Sequence, residues 1–266
     1  MHTILNYHFG KQQPLIIAGP CVIESAELCF QVAQQMKTIC DQHGVPYIFK
    51  ASFDKANRTS GGSFRSIGFN ESLRILERVK KEIGVPVISD VHESTQVEVV
   101  KEVLDVLQIP AFLCRQTELL EAAGKSGLPV NIKKGQFMAP QDMKYAVEKV
   151  KNFSTNTVLL TERGSFFGYG NLVVDYRSLP IMQEYAPVIF DVTHSVQLPG
   201  AGDGKSSGNR KMAPVLARAA AAAGVDGFFI ETHPHPDQAL SDGPNMIPLD
   251  EMEAFIRQLL AYCRIE

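Results

Sequence analysis

Short apolar runs recur along the chain at 15–18, 47–49, 85–89, 106–109, 130–132, 158–160, 188–190 and 228–230. Each is continuous rather than alternating, which predicts strands buried on both faces, as in a parallel sheet. The segments between them carry helical spacing. Over 27–43, Leu28, Val32, Met36 and Ile39 return at helical intervals, with Ser25 placed as an N-cap and Gly44 as the stop. A second helix is predicted over 71–82, capped by Asn70, carrying Leu73, Leu76, Val79 and Lys80 and closed by Gly84. Further helices are expected at 96–104, 117–125, 141–152, 179–185, 210–223 and 250–263, the seventh ending in an alanine run before Gly224.

Strand-then-helix units of roughly 30 residues, joined by right-handed crossovers, close most simply into a single-domain (β/α)8 barrel spanning 1–266. A doubly wound open sheet is the alternative. No Pro/Gly/Ser linker or low-complexity tract divides the chain, and residues 1–13, too polar for a core, are expected to cap the barrel floor.

Polar residues follow every predicted strand: Gly19-Pro20-Cys21, Lys50, Asp90 with His92, Arg115-Gln116, Lys133-Lys134, Glu162-Arg163, Asp191 with His194, and Glu231-Thr232-His233. In a barrel all of these open on one face, where the βα loops build active sites. Lys50, Lys55, Arg58, Arg65, Arg115, Lys133 and Arg163 would converge there although the chain's net charge is −3. Gathered cations repel unless an anion compensates, so phosphorylated or otherwise anionic ligands are expected. Lys50 and Lys133 sit against buried strands, whereas Lys55, Arg58 and Arg65 would suit a solvated loop equally well. The balance of 26 basic and 29 acidic residues gives no bulk pull on nucleic acid. No run reaches the ~20 apolar residues of a spanning helix, and the first residues lack a secretory pattern. Five cysteines without a CxxC do not form a disulfide framework, which points to a reducing cytoplasm.

Cys21, His194, Glu231 and Asp242 follow strands that neighbour one another in a closed barrel. A thiolate, an imidazole and two carboxylates suit Zn2+, Fe2+ or Mn2+. On sequence alone Cys21 fits a small buried apolar position better than a ligand, and Cys29, Cys40, Cys114 and Cys263 fit nothing else. His233 and His235 fit as ligands or equally as loop residues, and His92 fits a hydrogen bond at the barrel mouth without chemistry of its own. The glycine-rich stretches 164–170 and 200–208 match neither a P-loop nor a dinucleotide fingerprint and suggest mobile lids.

Several segments then carry a family resemblance. Ile17-Ala18-Gly19-Pro20-Cys21-Val22-Ile23-Glu24-Ser25, Phe49-Lys50-Ala51-Ser52-Phe53-Asp54-Lys55-Ala56-Asn57-Arg58 and Asn131-Ile132-Lys133-Lys134-Gly135-Gln136-Phe137 resemble the 3-deoxy-D-manno-octulosonate 8-phosphate synthases. So do Pro110-Ala111-Phe112-Leu113-Cys114-Arg115-Gln116-Thr117, Thr161-Glu162-Arg163-Gly164, Phe167-Gly168-Tyr169-Gly170-Asn171-Leu172, Asp191-Val192-Thr193-His194-Ser195-Val196-Gln197-Leu198-Pro199-Gly200 and Glu231-Thr232-His233-Pro234.

The resemblance implies a cytoplasmic homotetramer that condenses phosphoenolpyruvate, D-arabinose 5-phosphate and water on the path to lipopolysaccharide. It implies phosphoenolpyruvate contacts from Lys50, Ser52, Lys55, Lys133 and Arg163, with Asp90 and Gln116 nearby. Arabinose 5-phosphate would meet Asn57, Arg58 and Thr59, and Arg115 would reach a neighbouring subunit's site. Lys50, Lys133, Arg163, Asp90 and His194 are thereby the expected catalytic set. The family has metal-dependent and metal-free branches, and Cys21, where the metal-free branch has Asn, implies a divalent ion (Mn, Fe, Co or Zn) on Cys21, His194, Glu231 and Asp242. Two departures touch loop geometry: Ser206-Ser207-Gly208-Asn209-Arg210 replaces the usual Ser-Gly-Gly before Arg, and Gly61-Gly62 replaces a bulkier pair. A related synthase using erythrose 4-phosphate, or a non-catalytic barrel binding a phosphorylated metabolite, are the competing readings.

Overall fold

The computed structural model describes residues 1–56, 61–62, 64–166, 170–199 and 207–264. It opens with an antiparallel hairpin of β1 (His2–Ile4) and β2 (Tyr7–Phe9). The barrel strands are β3 (Leu15–Gly19), β4 (Tyr47–Lys50), β5 (Val87–Asp90), β6 (Val106–Ile109), β7 (Val130–Lys133), β8 (Val158–Glu162), β11 (Val188–Asp191) and β12 (Gly227–His233). Every neighbouring pair is parallel, and pairing of β11 with β12 closes the ring. Outside it lie the ribbon of β9 (Ser165–Phe166) with β10 (Leu172–Val173), and the short β13 (Ile247–Pro248) beside β12. The expected (β/α)8 barrel is thus the architecture observed.

The outer layer is α1 (Ala26–His43), α2 (Phe69–Arg78), α3 (Ser94–Val100), α4 (Thr117–Lys125), α5 (Met143–Lys151), α6 (Ser178–Gln183), α7 (Ala213–Ala222) and α8 (Met252–Cys263). Ser25 caps α1 by accepting from the Leu28 amide at 3.2 Å, and Gly44 ends it with φ of 65°. Elsewhere the boundaries move. Asn70 lies inside α2, whose N-cap is Gly68 without a side-chain bond, and the last turn relaxes into a π-helical segment, Val79–Ile83. The α3 helix starts and stops earlier than its spacing suggests, because Glu93 and Gln96 close a reciprocal capping box. Strand β5 begins after Pro86, which has no amide hydrogen for the ladder.

Strand parity divides the barrel into two apolar clusters. Outward residues such as Ile16, Phe49, Leu107, Ile132, Leu160 and Phe190 pack against the helices. Inward residues at the strand starts, Leu15, Ile17, Ile48, Ile88, Val106, Leu159, Ile189 and Phe229, form a separate axial cluster with Ile4 and Phe9. The N-terminal segment therefore caps the floor by contributing to the core, contrary to the expectation from its polar composition. Two-residue alternation sends only Ile4 and Phe9 inward, while Thr3 and His8 stay exposed. Each buried side chain of this size stabilises the floor by about 1.5–3 kcal/mol.

Candidate active site

Further along the same strands, the inward positions become polar. Lys50, Asp90, Gln108, Asn131, Lys133, Thr161, Arg163, Asp191 and Glu231 are all buried. They lie at and below a cavity of about 800 Å3 whose walls include Lys50, Lys55, Asp90, His92, Lys133, Gln136, Arg163, His194, Gln197 and Asp242. Phe64, Phe112 and Phe166 stand around it. The polar face is thus built by barrel parity, with the apolar floor beneath it. Gly19 is required for this arrangement: a Cβ there would lie 2.0 Å from the Lys50 carbonyl oxygen, so only glycine lets β3 and β4 close beneath Cys21.

The cations are largely compensated by carboxylates within the protein, so their convergence does not need a ligand for charge balance, as the sequence had suggested. Lys133 Nζ lies 2.8 Å from Asp191 Oδ2, and 3.5 Å from the centroid of the Phe229 ring. Lys50 Nζ lies 3.3 Å from Glu231 Oε1 and 3.5 Å from Asp90 Oδ2, and donates to Ser52 Oγ at 2.9 Å. Lys55 approaches Glu231 at 3.9 Å. Arg163 is different. Its guanidinium donates to Gln197 Oε1 at 2.7 Å, its other terminal nitrogen is buried without a hydrogen bond, and no carboxylate of the described residues comes within ion-pair distance. That donor, on a residue that lines the cavity, is what an incoming anion would satisfy.

Burial and charge set the protonation states. Burial lowers the Lys133 ammonium below its usual range, only partly offset by Asp191. Arg163 is lowered by burial in the same way. For Asp90 burial acts to raise the carboxyl, but Lys50, Lys55 and Lys133 outweigh it and hold it well below the usual range. Asp191 is likewise driven down against burial, by His194 and Lys133.

Cys21 Sγ lies 3.1 Å from Asp242 Oδ2 and 3.1 Å from Ser241 Oγ. One ligand atom from each of Cys21, Glu231 and Asp242 falls within 4.8 Å of the others, and His194 Nε2 is 3.7 Å from Glu231 Oε1. Burial and the Glu231 charge push the Cys21 thiol well above its usual range. Glu231 Oε2 is buried with no hydrogen-bond partner. A buried thiol, a buried carboxylate with an orphaned oxygen and a half-buried carboxylate on the cavity wall form a donor set that fits a divalent cation, which would also reverse the electrostatic cost of the thiolate. His194 Nδ1 is held 2.9 Å from Asp191 Oδ2, so Nε2 is the nitrogen turned to this cluster.

Other expected residues fall elsewhere. Arg115 and Gln116 are exposed at the start of α4 and do not line the cavity. The inward glutamine is Gln108, whose amide donates to Asp90 Oδ1 at 2.6 Å. Arg65 is exposed and ion-paired with Asp54 at 2.5 Å. Lys134 faces out of the barrel toward Glu162 at 3.5 Å and donates to Ser165 Oγ at 3.1 Å. His92 lines the cavity, its ring edge-on to Phe53. His233 accepts from the His235 amide at 2.9 Å, and the other four cysteines are buried thiols. Asn57, Arg58 and Thr59 lie outside the described residues, as do 167–169 and 200–206 of the two glycine-rich stretches and Ser206 of the departing motif. The first stretch begins as the β9–β10 ribbon rather than as a plain loop.

The family model described as the DAHP synthetase I family matches residues 3–263. The chain belongs to the DAHP synthetase I family. Within it, this chain is 57% identical over 257 residues to a protein of Synechococcus sp. named 2-dehydro-3-deoxyphosphooctonate aldolase, covering 96% of this chain and 90% of that one. Proteins of the same name from Citrifermentans bemidjiense, 55% identical over 97% of this chain and 96% of that one, and Acidithiobacillus ferrooxidans, 54% identical over 96% and 92%, are similar too. That name denotes the eight-carbon sugar acid phosphate made by the synthases that the sequence resembles. The resemblance and the comparisons therefore agree. Among the described residues no helix is long and apolar enough to cross a membrane.

Proposed function

We propose that this member of the DAHP synthetase I family condenses phosphoenolpyruvate with D-arabinose 5-phosphate and water, giving 3-deoxy-D-manno-octulosonate 8-phosphate and inorganic phosphate. The observation that carries this reading is one cavity in which Lys50, Lys55, Lys133 and the half-satisfied Arg163 stand beside the Cys21, Glu231 and Asp242 cluster. Relatives at 54–57% identity bear the eight-carbon product's name, which favours arabinose 5-phosphate over the erythrose 4-phosphate of a seven-carbon synthase. The relatives' name, that of an aldolase, also favours an enzyme over a binding-only barrel.

In this reading C3 of phosphoenolpyruvate bonds to the aldose C1, whose oxygen takes a proton, while water adds at C2. The resulting carbon gives up phosphate by C–O cleavage and its hydroxyl proton is lost, leaving the ketone. Lys50, Ser52, Lys55, Lys133 and Arg163 hold the phosphoenolpyruvate anion, and Lys133 and Arg163 face the charge that grows on departing phosphate. Asp90 keeps Lys50 and Ser52 oriented. Asn57, Arg58 and Thr59 bind the aldose phosphate, with Arg115 serving at a subunit boundary of a cytoplasmic homotetramer. Exposure of Arg115 outside the cavity supports an intersubunit role over one in its own site.

Cys21, His194, Glu231 and Asp242 would hold a divalent ion (Mn, Fe, Co or Zn). When bound, it supplies a Lewis acid that can acidify water or polarise a carbonyl oxygen. The test is phosphate release from phosphoenolpyruvate with each aldose phosphate, together with elemental analysis of the purified protein. Arabinose 5-phosphate is expected to be strongly preferred; preference for erythrose 4-phosphate, or no turnover with any divalent metal, would overturn the assignment.

A further inference from the structure

A line of buried polar side chains crosses the barrel from β8, below the cavity, to Asp90 and Lys50 at its wall. Thr161 Oγ1 lies 2.7 Å from Asn131 Oδ1, Asn131 Nδ2 2.9 Å from Gln108 Oε1, and Gln108 Nε2 2.6 Å from Asp90 Oδ1. Asp90 Oδ2 accepts from Ser52 Oγ, which in turn accepts from Lys50 Nζ at 2.9 Å. Chemistry alone fixes the direction of each bond. Asp90, an anion among cations, only accepts, so Gln108 must present its amide hydrogens to it. The Gln108 carbonyl then faces Asn131, which must donate, so the Asn131 carbonyl faces Thr161 and Thr161 must donate in turn. The lysine is donor-only, which forces the Ser52 hydroxyl to point at Asp90. All donors on both sides therefore aim at Asp90, and bonds aligned in this way polarise one another in a medium without water.

Thr161 is the distant end of the line. It lies fully buried and lines no part of the cavity, yet it pairs in register with Lys133 on the neighbouring strand. Without its hydroxyl the Asn131 carbonyl loses the donor that Thr161 supplies, and the two amides are held from the Asp90 end alone, which leaves the line one bond looser where it meets Asp90. We infer that Thr161 and Asn131 are positioning residues, acting through Gln108 to fix Asp90 and, through it, Lys50 and Ser52 against phosphoenolpyruvate. This inference rests on the proposed condensation.

Thr161→Val and Thr161→Ser separate this role from packing, because they reverse the order of the two effects. Valine keeps the volume and loses the donor; serine keeps the donor and loses a methyl group. Thr161→Val is expected to lower kcat/KM for phosphoenolpyruvate by up to about tenfold, the upper end of what one buried hydrogen bond between neutral groups contributes. KM for the aldose phosphate should change less than about twofold, since uniform binding of that substrate is untouched. Thr161→Ser should stay close to the parent in kinetics while melting lower, by the cost of a lost methyl group. Equal kinetics in Thr161→Val and the parent, or a loss in Thr161→Ser as large as in Thr161→Val, would overturn the inference. Calorimetric binding of phosphoenolpyruvate alone to the same three proteins keeps the test independent of turnover. If the parent binds but does not release phosphate, the proposed reaction fails while the binding series still judges Thr161.

Discussion

Phe229 is where the apolar floor meets the charged mouth, and replacing it by leucine should move the pH dependence of activity in a defined direction. The Lys133 ammonium sits 3.5 Å from the ring centroid, while Lys50 is 5.4 Å away. Burial already lowers the Lys133 ammonium below the ordinary lysine range, so it gives up its proton at a lower pH than a free amine. The ring face opposes that loss, because its quadrupole attracts the charged form and not the neutral one. A desolvated contact of this kind contributes about 2 kcal/mol. At 1.36 kcal/mol per pH unit, removing it should lower the Lys133 titration by about 1.5 units, and about one unit once water entering the vacated space solvates the amine.

The profile of kcat/KM for phosphoenolpyruvate reports the free enzyme, so its alkaline limb is the observable. In Phe229→Leu that limb should move toward neutral pH by about one unit, since the leucine leaves the ammonium less protected. Activity at pH 7 should fall much less than activity at pH 9. Leucine keeps most of the apolar volume above Ile17 and Ile189, so a loss of fold would not mimic the shift. A limb that stays in place, or moves to higher pH, refutes the account of Lys133, since the weaker contact of the ring with Lys50 would act in the same direction.

Three further outcomes follow from the same layering. Phe9→Ala should cost about 3–5 kcal/mol of stability, read as a lower Tm, while kcat at low temperature stays within about twofold of the parent. Gly19→Ala should damage both, since the new Cβ meets the Lys50 carbonyl at 2.0 Å and the strands must separate at the site; loss of about 3 kcal/mol and of most activity is expected, and an unaltered kcat would exclude Gly19 as a spacing device. Prolonged chelation should abolish phosphate release, Mn2+, Co2+ or Fe2+ should restore it, and Cys21→Asn should show less bound metal by elemental analysis while retaining some metal-independent activity; full activity of metal-free parent protein would remove Cys21 from the mechanism.

Much of the architecture was legible because strands buried on both faces leave continuous apolar runs, and Ser25 and Gly44 are unambiguous helix ends. What was missed has a physical cause in each instance. Asn70 has the chemistry of a cap, yet the chain enters α2 two residues earlier through Gly68, whose φ of 112° suits glycine. Gln116 drew attention because it stands beside Arg115, but it follows the strand rather than lying in it. Gln108, Asn131 and Thr161 occupy inward positions of β6, β7 and β8, and a polar residue at the inward parity of an apolar strand was the available signal. Lys134 and Glu162 show the converse: parity turns them outward, so adjacency to Lys133 and Arg163 in sequence does not bring them into the cavity. Cys21 could not be decided from residue type, since burial alone suits an inert cysteine; its distance from Asp242 distinguishes it.

The composition of the mouth explains how a barrel can hold this much charge before any ligand arrives. Lys50, Lys55, Lys133 and Arg163 are matched in number by Asp90, Asp191, Glu231 and Asp242, so these eight buried or half-buried groups balance in charge with Cys21 as a thiol. Neutrality is achieved unevenly. Asp191 holds Lys133 and His194 together, and Glu231 holds Lys50 and approaches Lys55, whereas the Arg163 guanidinium and Glu231 Oε2 each retain an unsatisfied atom. One of these is a donor on a residue that lines the cavity, and the other an acceptor on a residue of the Cys21, Glu231 and Asp242 cluster. An anion at the first and a cation at the second restore the balance together, so each should bind more tightly in the presence of the other. Measured apart, phosphoenolpyruvate affinity should rise when Mn2+ is present and Mn2+ affinity should rise by the same factor when phosphoenolpyruvate is present; independent binding of the two would show that the orphaned groups do not communicate through the shared carboxylates.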